Sequence, residues 1–158
     1  MGYQVGDKVI HWNYGFGEIV QLDVKYIRER QTPYFVVRIR DFSIWVVADE
    51  TAEANLRLPT SASDFENLFA ILHSPGEPLP NDRFERKKLL VQRMRDGKLA
   101  SVCSVVRDLT LQRNLKKLND DDRSMLERAK NFLLAEWTFS LSVPMAKAHS
   151  ELGQLLGE

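Results

Sequence analysis

Histidine and cysteine, the residues that most often carry catalysis, are few and scattered in this sequence of 158 residues. His11, His73 and His149 fall on a predicted strand, a helix end and the last predicted helix, without an HExxH pair or a carboxylate at metal-ligand spacing. Cys103 is the only cysteine and lies in an apolar-rich run, which favours a buried and inert thiol. We therefore expect a protein that is not an enzyme and that holds no metal and no cofactor.

Two further patterns are of types that can bind phosphate or metal. Gly15-Phe16-Gly17 lacks the third glycine and the following helix of a dinucleotide-binding fingerprint, so we interpret it as a tight turn. The adjacent residues Asp120, Asp121 and Asp122 could bind Mg²⁺, but they directly precede a long predicted helix. Carboxylates in a first turn stabilise the positive end of the helix dipole, and we favour this interpretation over a metal site.

The cations of the sequence are concentrated in one segment. Residues 83–117 carry 11 Lys/Arg against 3 Asp/Glu, whereas residues 1–82 carry 7 against 12 and residues 118–158 carry 4 against 7. Such a basic segment attracts phosphates, and binding of this kind is steeply dependent on salt but carries no base specificity. The alternative is a solvated helix face whose cations pair with acids of neighbouring elements. Charge alone leaves both interpretations open.

The first third of the sequence has the pattern of β-strands. Valine, isoleucine and aromatic residues recur with a period near two in four runs, at residues 8–12, 18–27, 34–40 and 43–47. A polar turn is predicted over residues 28–33. Four or five short strands in about 50 residues indicate a small curled barrel.

The rest of the sequence is predicted to be helical. Residues 59–80 contain a short helix with a capping-box signature at Ser63–Glu66, followed by a proline-rich linker. A basic helix is predicted from Asp82 to Asp96, with Gly97 as the residue that ends it. Further helices are predicted over residues 98–114, 123–139 and 144–156. The sequence thus predicts an α+β protein of two domains, a β domain over residues 1–58 and a compact all-α bundle over residues 81–158.

The predicted strands resemble those of a known family. Tyr3–Ile10 followed by Tyr14–Ile19 is similar to the opening of the CarD/CdnL family of bacterial transcription regulators, whose pattern is VGDxVxxxxxGxxxI. Tyr34–Val37 and Ile44–Val47 resemble the later strands of the same family. The resemblance implies a Tudor-like or SH3-like barrel that binds the β subunit of RNA polymerase.

Two helical stretches resemble the family more specifically, and the similarity extends over essentially the whole chain. Val105–Leu109 has the sequence VVRDL, and Met125–Glu136 is similar to the helix that follows it in the family. For this part of the chain the resemblance implies a helical domain that contacts promoter DNA at the upstream edge of the transcription bubble. The implied function is modulation of the stability of the open promoter complex.

The resemblance also implies two sets of binding residues. The family commonly presents basic residues on the polymerase-binding face; by register these positions hold Lys25, which keeps the charge, and Trp45, which is able to anchor an interface. The family tryptophan that inserts into the minor groove falls at Arg83, with Phe84 as the adjacent aromatic. The implied polymerase-binding residues are Lys25, Arg38 and Trp45, and the implied DNA-binding residues are Arg83, Phe84, Arg86, Lys87, Lys88 and Arg93.

We expect the partners to be the RNA polymerase β subunit and promoter DNA, bound with little sequence preference by a monomer. The alternative is an adaptor that binds polymerase or another protein and makes no effective contact with DNA. The sequence has no run of about 18 apolar residues and no signal-peptide layout at its start. We therefore expect a cytoplasmic protein without a membrane partner.

Overall fold

The computed structural model describes residues 2–158 and divides into two compact units, the first ending at Pro59 and the second spanning Thr60–Glu158. The first unit contains five strands and one short helix, and the second unit is entirely helical, which confirms the predicted α+β class. The elements of the first unit are β1 (Lys8–His11), β2 (Gly15–Ile27), β3 (Arg30–Ile39), β4 (Phe42–Val47), α1 (Ala52–Asn55) and β5 (Leu56–Arg57). Those of the second are α2 (Ala62–Asn67), α3 (Phe69–His73), α4 (Arg83–Arg95), α5 (Leu99–Leu115), α6 (Asp120–Ser140) and α7 (Met145–Leu155).

The five strands form one antiparallel sheet in the order β4-β3-β2-β1-β5. The β2–β3 hairpin is closed by only two residues, Arg28 and Glu29, whose φ angles are +51° and +63°. Two positive φ angles in succession match the right-handed twist of a two-residue hairpin turn. The turn predicted over residues 28–33 is therefore too long, because β3 already begins at Arg30.

A β-bulge in β2 changes the side of the sheet on which its odd-numbered residues lie. The pairing with β3 shifts between Ile19 and Gln21, so that Ile19 lies opposite Val37 and Gln21 lies opposite Val36. Before the bulge Ile19 is fully buried, whereas after it the even-numbered residue Leu22 lies opposite the core residue Phe35. The bulge therefore turns the odd-numbered residues of the second half of β2 to the side of the sheet opposite to Ile19.

Gly17 belongs to β2 rather than to a turn. The neighbouring strand β3 passes unusually close to it. A Cβ atom at this position would lie 2.7 Å from the carbonyl oxygen of Arg38. The interpretation of Gly15-Phe16-Gly17 as a tight turn is thus wrong in its extent, since all three residues pair with β1. The glycine permits close backbone approach at the centre of the unit, where Val9, Ile19 and Val37 are fully buried.

We expect His11 to make the stability of the first unit depend on pH. Burial lowers the pKa of His11 below its ordinary value of 6.5, and its Nδ1 accepts hydrogen bonds from the backbone N–H groups of Asn13 and Tyr14 at 3.0 and 3.3 Å. The folded state disfavours the protonated ring. The contribution of neutral His11 to the free energy of unfolding is therefore complete above pH 6.5 and decreases as the pH falls from 6.5 toward the folded pKa. We expect urea unfolding between pH 7.5 and about 5 to show this loss in the wild type.

The matched variant for this test is His11→Asn, which keeps a side-chain acceptor near the Nδ1 position but has no titrating ring. We expect the free energy of unfolding of His11→Asn to be flatter over the same pH range. An equal pH dependence in the two proteins would contradict the assignment to His11.

The second unit is built around Trp137, which is fully buried in α6 and packs against two phenylalanines of the short helices. Its ring centroid lies 5.4 Å from that of Phe65 and 5.0 Å from that of Phe69. Helix α2 begins with Ser61 as its N-cap, whose Oγ accepts from the N–H of Asp64. The capping-box signature predicted at Ser63–Glu66 is therefore displaced by two residues. None of the helices within residues 2–158 is both long and apolar enough to cross a membrane.

Two carboxylates tie the ends of this unit into its helices. The carboxylate of Glu136, fully buried in α6, accepts hydrogen bonds from both the backbone N–H and the hydroxyl of Thr60, at 2.9 and 2.7 Å. The side chain of Glu158 pairs with Arg113 of α5 and lies 3.7 Å from Nζ of Lys130 in α6. Both the first and the last described residues of the helical unit are thus joined to its long helices.

The proline-rich segment at residues 74–80 is packed onto α5 within the second unit. The backbone N–H of Glu77 donates to Asp108 at 2.9 Å, and Leu79 is 7% exposed. Gly76 lies so close to α5 that a Cβ atom there would be 2.9 Å from Cβ of Leu111. This segment therefore connects α3 to α4 as a fixed strap along α5.

Candidate nucleic-acid and protein interfaces

The three residues predicted to bind polymerase lie on one face of the sheet. Arg38 and Val36 are two positions apart on β3 and therefore point the same way. Trp45 pairs directly with Val36, and Lys25 pairs with Thr32, which lies on the same side of β3. Arg38 and Lys25 are exposed, and the Trp45 side chain is 46% exposed. We call the surface formed by Lys25, Arg38 and Trp45 the outer face.

Lys25 and Trp45 interact directly on the outer face. The ammonium nitrogen of Lys25 lies 4.3 Å from the centroid of the Trp45 ring and 5.9 Å from that of Tyr34. A cation held over an exposed aromatic ring contributes about 0.5–1 kcal/mol. The contact creates a patch on the exposed sheet that is both aromatic and positively charged.

Helix α4 has the limits predicted from its capping residues. Asp82 is the N-cap and accepts from the N–H groups of Phe84 and Glu85, while Gly97, with a φ of +75°, follows the C-cap Asp96. These end residues fix where the helix begins, and so they fix which side chains its first turn presents.

The first turn of α4 presents an arginine and an aromatic ring together. The Phe84 side chain is 71% exposed, and the guanidinium carbon of Arg83 lies 4.9 Å from its ring centroid. Within residues 2–158 neither Arg83 nor Lys88 forms a salt bridge. Phe84 and these two cations are thus available to a ligand, and we call the three residues the α4 tip.

Arg86 has a different environment from its neighbours. Its side chain is 7% exposed, its Nε donates to Oδ1 of Asp122 at 3.0 Å, and its Nη1 donates to the carbonyl oxygens of Pro80 and Asn81. Asp122 is itself almost fully buried. This buried ion pair joins α4 to the first turn of α6, and the guanidinium is directed into the unit rather than toward solvent.

Arg93 also interacts inside the unit, through Asp108 of the VVRDL stretch. Asp108 is fully buried and accepts from Nη1 of Arg93 at 2.7 Å, from Nε of Arg107 at 2.8 Å and from the N–H of Glu77. Burial acts to raise the pKa of Asp108, but the hydrogen bonds from Arg107, Glu77 and Arg93 outweigh it and lower that pKa. Asp108 therefore connects α5 to α4 and to the strap.

Lys87 has an intermediate environment. Its Nζ lies 3.7 Å from Oδ2 of Asp121, and both side chains are largely exposed. Asp120, Asp121 and Asp122 occupy the first turn of α6 after the N-cap Asn119, which confirms the interpretation of this triplet as a helix start. Among residues 2–158 no group of three metal-ligating side chains is arranged to hold an ion.

Sequence reasoning missed the structural role of three buried carboxylates, Asp108, Asp122 and Glu136. It also treated Arg86 and Arg93 as equivalent to Lys87 and Lys88. One signal was present: Arg86, Leu90 and Met94 are spaced by four residues and form the buried face of α4. A cation on the apolar stripe of a helix is more often an internal partner than a ligand contact.

The first unit thus presents a basic and aromatic outer face, and the helical unit presents an exposed arginine and an aromatic ring at the start of α4. The profile of the family described as "CarD, C-terminal domain" matches residues 67–153, which is more than half of the chain. The chain belongs to the CarD family. It is 26% identical over 140 residues to the Bacillus subtilis (strain 168) protein named "Putative transcription factor YdeB", with 85% of this chain and 89% of that protein covered. Transcription regulation is the function that this membership indicates.

Proposed function

We propose that this protein regulates transcription by binding the RNA polymerase β subunit through its outer face and promoter DNA through the α4 tip. The DNA contact lies near the upstream edge of the bubble and modulates the stability of the open complex. The observation that carries the proposal is the ordered Lys25–Trp45 pair, which presents an aromatic anchor and a positive charge on one exposed sheet face. Tryptophan and arginine, present on the outer face as Trp45 and Arg38, are enriched among the residues that dominate protein interfaces.

The geometry of the α4 tip supports the DNA half of the proposal. An exposed aromatic at a helix start can insert between base steps, and an adjacent guanidinium suits the negative potential of a narrow minor groove. Arg83 and Phe84 meet both requirements. Lys88 adds a phosphate-binding charge, and the exposed Lys87 beside it adds a second one next to the α4 tip. We leave Arg86 and Arg93 out of this surface because their guanidinium groups donate to buried carboxylates.

Two variants test the two surfaces separately. Trp45→Ala should weaken binding to purified RNA polymerase by at least about tenfold, because it removes the interface anchor. Phe84→Ala should leave polymerase binding unchanged and shorten the lifetime of the open promoter complex. Surface plasmon resonance with core polymerase measures the first effect, and competitor-challenged open complexes measure the second.

The chain offers a matched control for each variant. Tyr26 is 72% exposed and lies on the opposite face of the hairpin from Lys25, so Tyr26→Ala should bind polymerase as the wild type does. Leu115, at the end of α5, is 67% exposed, and Leu115→Ala should not alter complex lifetime. Wild-type polymerase binding by Trp45→Ala would refute the polymerase half of the proposal. An unchanged lifetime with Phe84→Ala would refute the wedge role.

A second candidate function, a polymerase- or protein-binding adaptor without effective DNA contact, is favoured by one observation. Three of the cations predicted to bind DNA, Arg86, Lys87 and Arg93, have carboxylate partners inside the helical unit. DNA binding by the purified chain that weakens steeply with salt separates the two functions, because the adaptor would show none.

A further inference from the structure

The first turn of α6 brings acidic side chains next to the basic helix α4. Two successive residues of α6 meet two successive residues of α4: Asp122 pairs with Arg86 at 3.0 Å, and Asp121 lies 3.7 Å from Lys87. The first contact is buried, whereas in the second the side chains of Lys87 and Asp121 are 59% and 70% exposed. The Asp121 carboxylate therefore lies on the same solvent-exposed surface as a cation predicted to bind DNA.

The contact between Asp121 and Lys87 remains open to solvent. Both residues line a cleft of about 210 Å³ between α4 and α6, whose apolar wall includes Leu90. An exposed ion pair of this kind is weak and exchanges readily with counterions. A DNA phosphate that approaches Lys87 must displace the carboxylate from the ammonium group and must also come close to a like charge. Asp121 is thus placed where it can oppose DNA binding, and its side chain, 70% exposed, is not part of the core.

We propose that Asp121 limits the affinity of the helical unit for DNA, so that this protein binds DNA effectively only while it is held at a promoter by polymerase. The inference rests on the proposed function and adds to it a residue that acts against the DNA contact. When the outer face is bound to polymerase, the effective concentration of promoter DNA at the helical unit is raised. A weak DNA-binding surface is then sufficient. Without the limit, bulk DNA would compete with the promoter for the free protein.

The neighbouring aspartates do not share this role. Asp122 is buried, and its carboxylate is directed at Arg86. Asp120 is 93% exposed on its side chain and pairs with Arg123 of its own helix. Asp120→Asn therefore removes the same charge from the same helix turn as Asp121→Asn, yet it leaves Lys87 with its partner. It is a control for net charge and for the helix dipole.

The experiment measures binding of the full chain to a fluorescein-labelled 20-base-pair duplex by anisotropy, at 50–200 mM NaCl. We expect Asp121→Asn to tighten binding by about three- to tenfold at 50 mM and to steepen the salt dependence by about one counterion. Asp120→Asn should change the dissociation constant by less than about twofold, since Asp120 pairs with Arg123 and not with Lys87, and exposed pairs of this kind contribute little. In a Lys87→Ala background, most of the gain from Asp121→Asn should disappear.

Each alternative outcome has a distinct meaning. Equal tightening by Asp121→Asn and Asp120→Asn overturns the inference in favour of a general charge effect, and no tightening by Asp121→Asn overturns it outright. In both cases measurable binding by the wild type leaves the proposed function intact. If no variant binds the duplex even at 50 mM NaCl, both the inference and the DNA half of the proposed function fail. Thermal melting of each variant accompanies the titrations, to verify that the helical unit is folded.

Discussion

Replacing Asp108 with asparagine is expected to lower the free energy of unfolding of the helical unit by about 3–5 kcal/mol, the cost of removing one partner from a buried ion pair. Asp108 is fully buried and accepts from two guanidinium groups and one backbone N–H. An amide has nearly the same shape but carries no charge and has only one acceptor oxygen. It therefore leaves at least one arginine without its partner.

The pH dependence of the same variant provides an independent check. Because the pKa of Asp108 is lowered in the folded protein, its stabilising contribution is complete above the ordinary value of 3.8 and is lost as the pH falls through the folded pKa. Urea unfolding at pH 7 should show the full difference between wild type and Asp108→Asn, and the difference should shrink below pH 4. Asp120→Asn, at an exposed position, is the control. A loss under about 1 kcal/mol at pH 7 would show that the three donors find other partners.

Removal of Arg86 is expected to have an effect of similar size, in contrast to the removal of an exposed cation of α4. Arg86→Ala should destabilise the helical unit by about 3–5 kcal/mol, because it leaves Asp122 buried without its counter-charge. The double variant Arg86→Met with Asp122→Leu should recover most of this loss, since apolar side chains of similar volume replace a buried pair at little cost. Equilibrium unfolding followed by circular dichroism measures both.

Lys88→Ala is the matched control for Arg86→Ala on the same helix, because Lys88 is exposed and forms no salt bridge within residues 2–158. We expect its stability to lie within about 0.5 kcal/mol of the wild type. The opposite pattern, with stability kept and DNA binding lost in Arg86→Ala, would return Arg86 to the DNA-binding surface on which the family resemblance first placed it.

The features of α4 that depend on local chemistry could be predicted from the sequence. Asp82 marks the start of the helix and Gly97 marks its end, both through local backbone geometry. The cluster of cations between them is visible as a composition bias. The division of those cations into internal partners and exposed groups could not be predicted in the same way. It depends on the position of Asp108 and Asp122, which reach α4 from other helices.

The family resemblance named the residues of the outer face, but the sequence pattern did not predict that they share one side of the sheet. Strict alternation along β2 would place Lys25 on the same side of the sheet as the buried Ile19, and so on the side opposite to Trp45. The bulge between Ile19 and Gln21 reverses this alternation, and no glycine or proline marks it in the sequence. The two-residue turn at Arg28 and Glu29 was missed for a similar reason, because neither residue is of the glycine or asparagine type that such turns favour.

The hydrogen bonds that Thr60 donates to Glu136 limit where this chain can be divided into working fragments. A fragment cut to the family match at residues 67–153 would lose the two hydrogen bonds from Thr60 to the fully buried carboxylate of Glu136. At its other end it would lose Glu158, which pairs with Arg113 and Lys130. The helical portion suitable for dissection is therefore residues 60–158. In a shorter fragment, a change in stability or DNA binding would reflect the lost contacts of Thr60 or Glu158 as well as the properties of the basic helix.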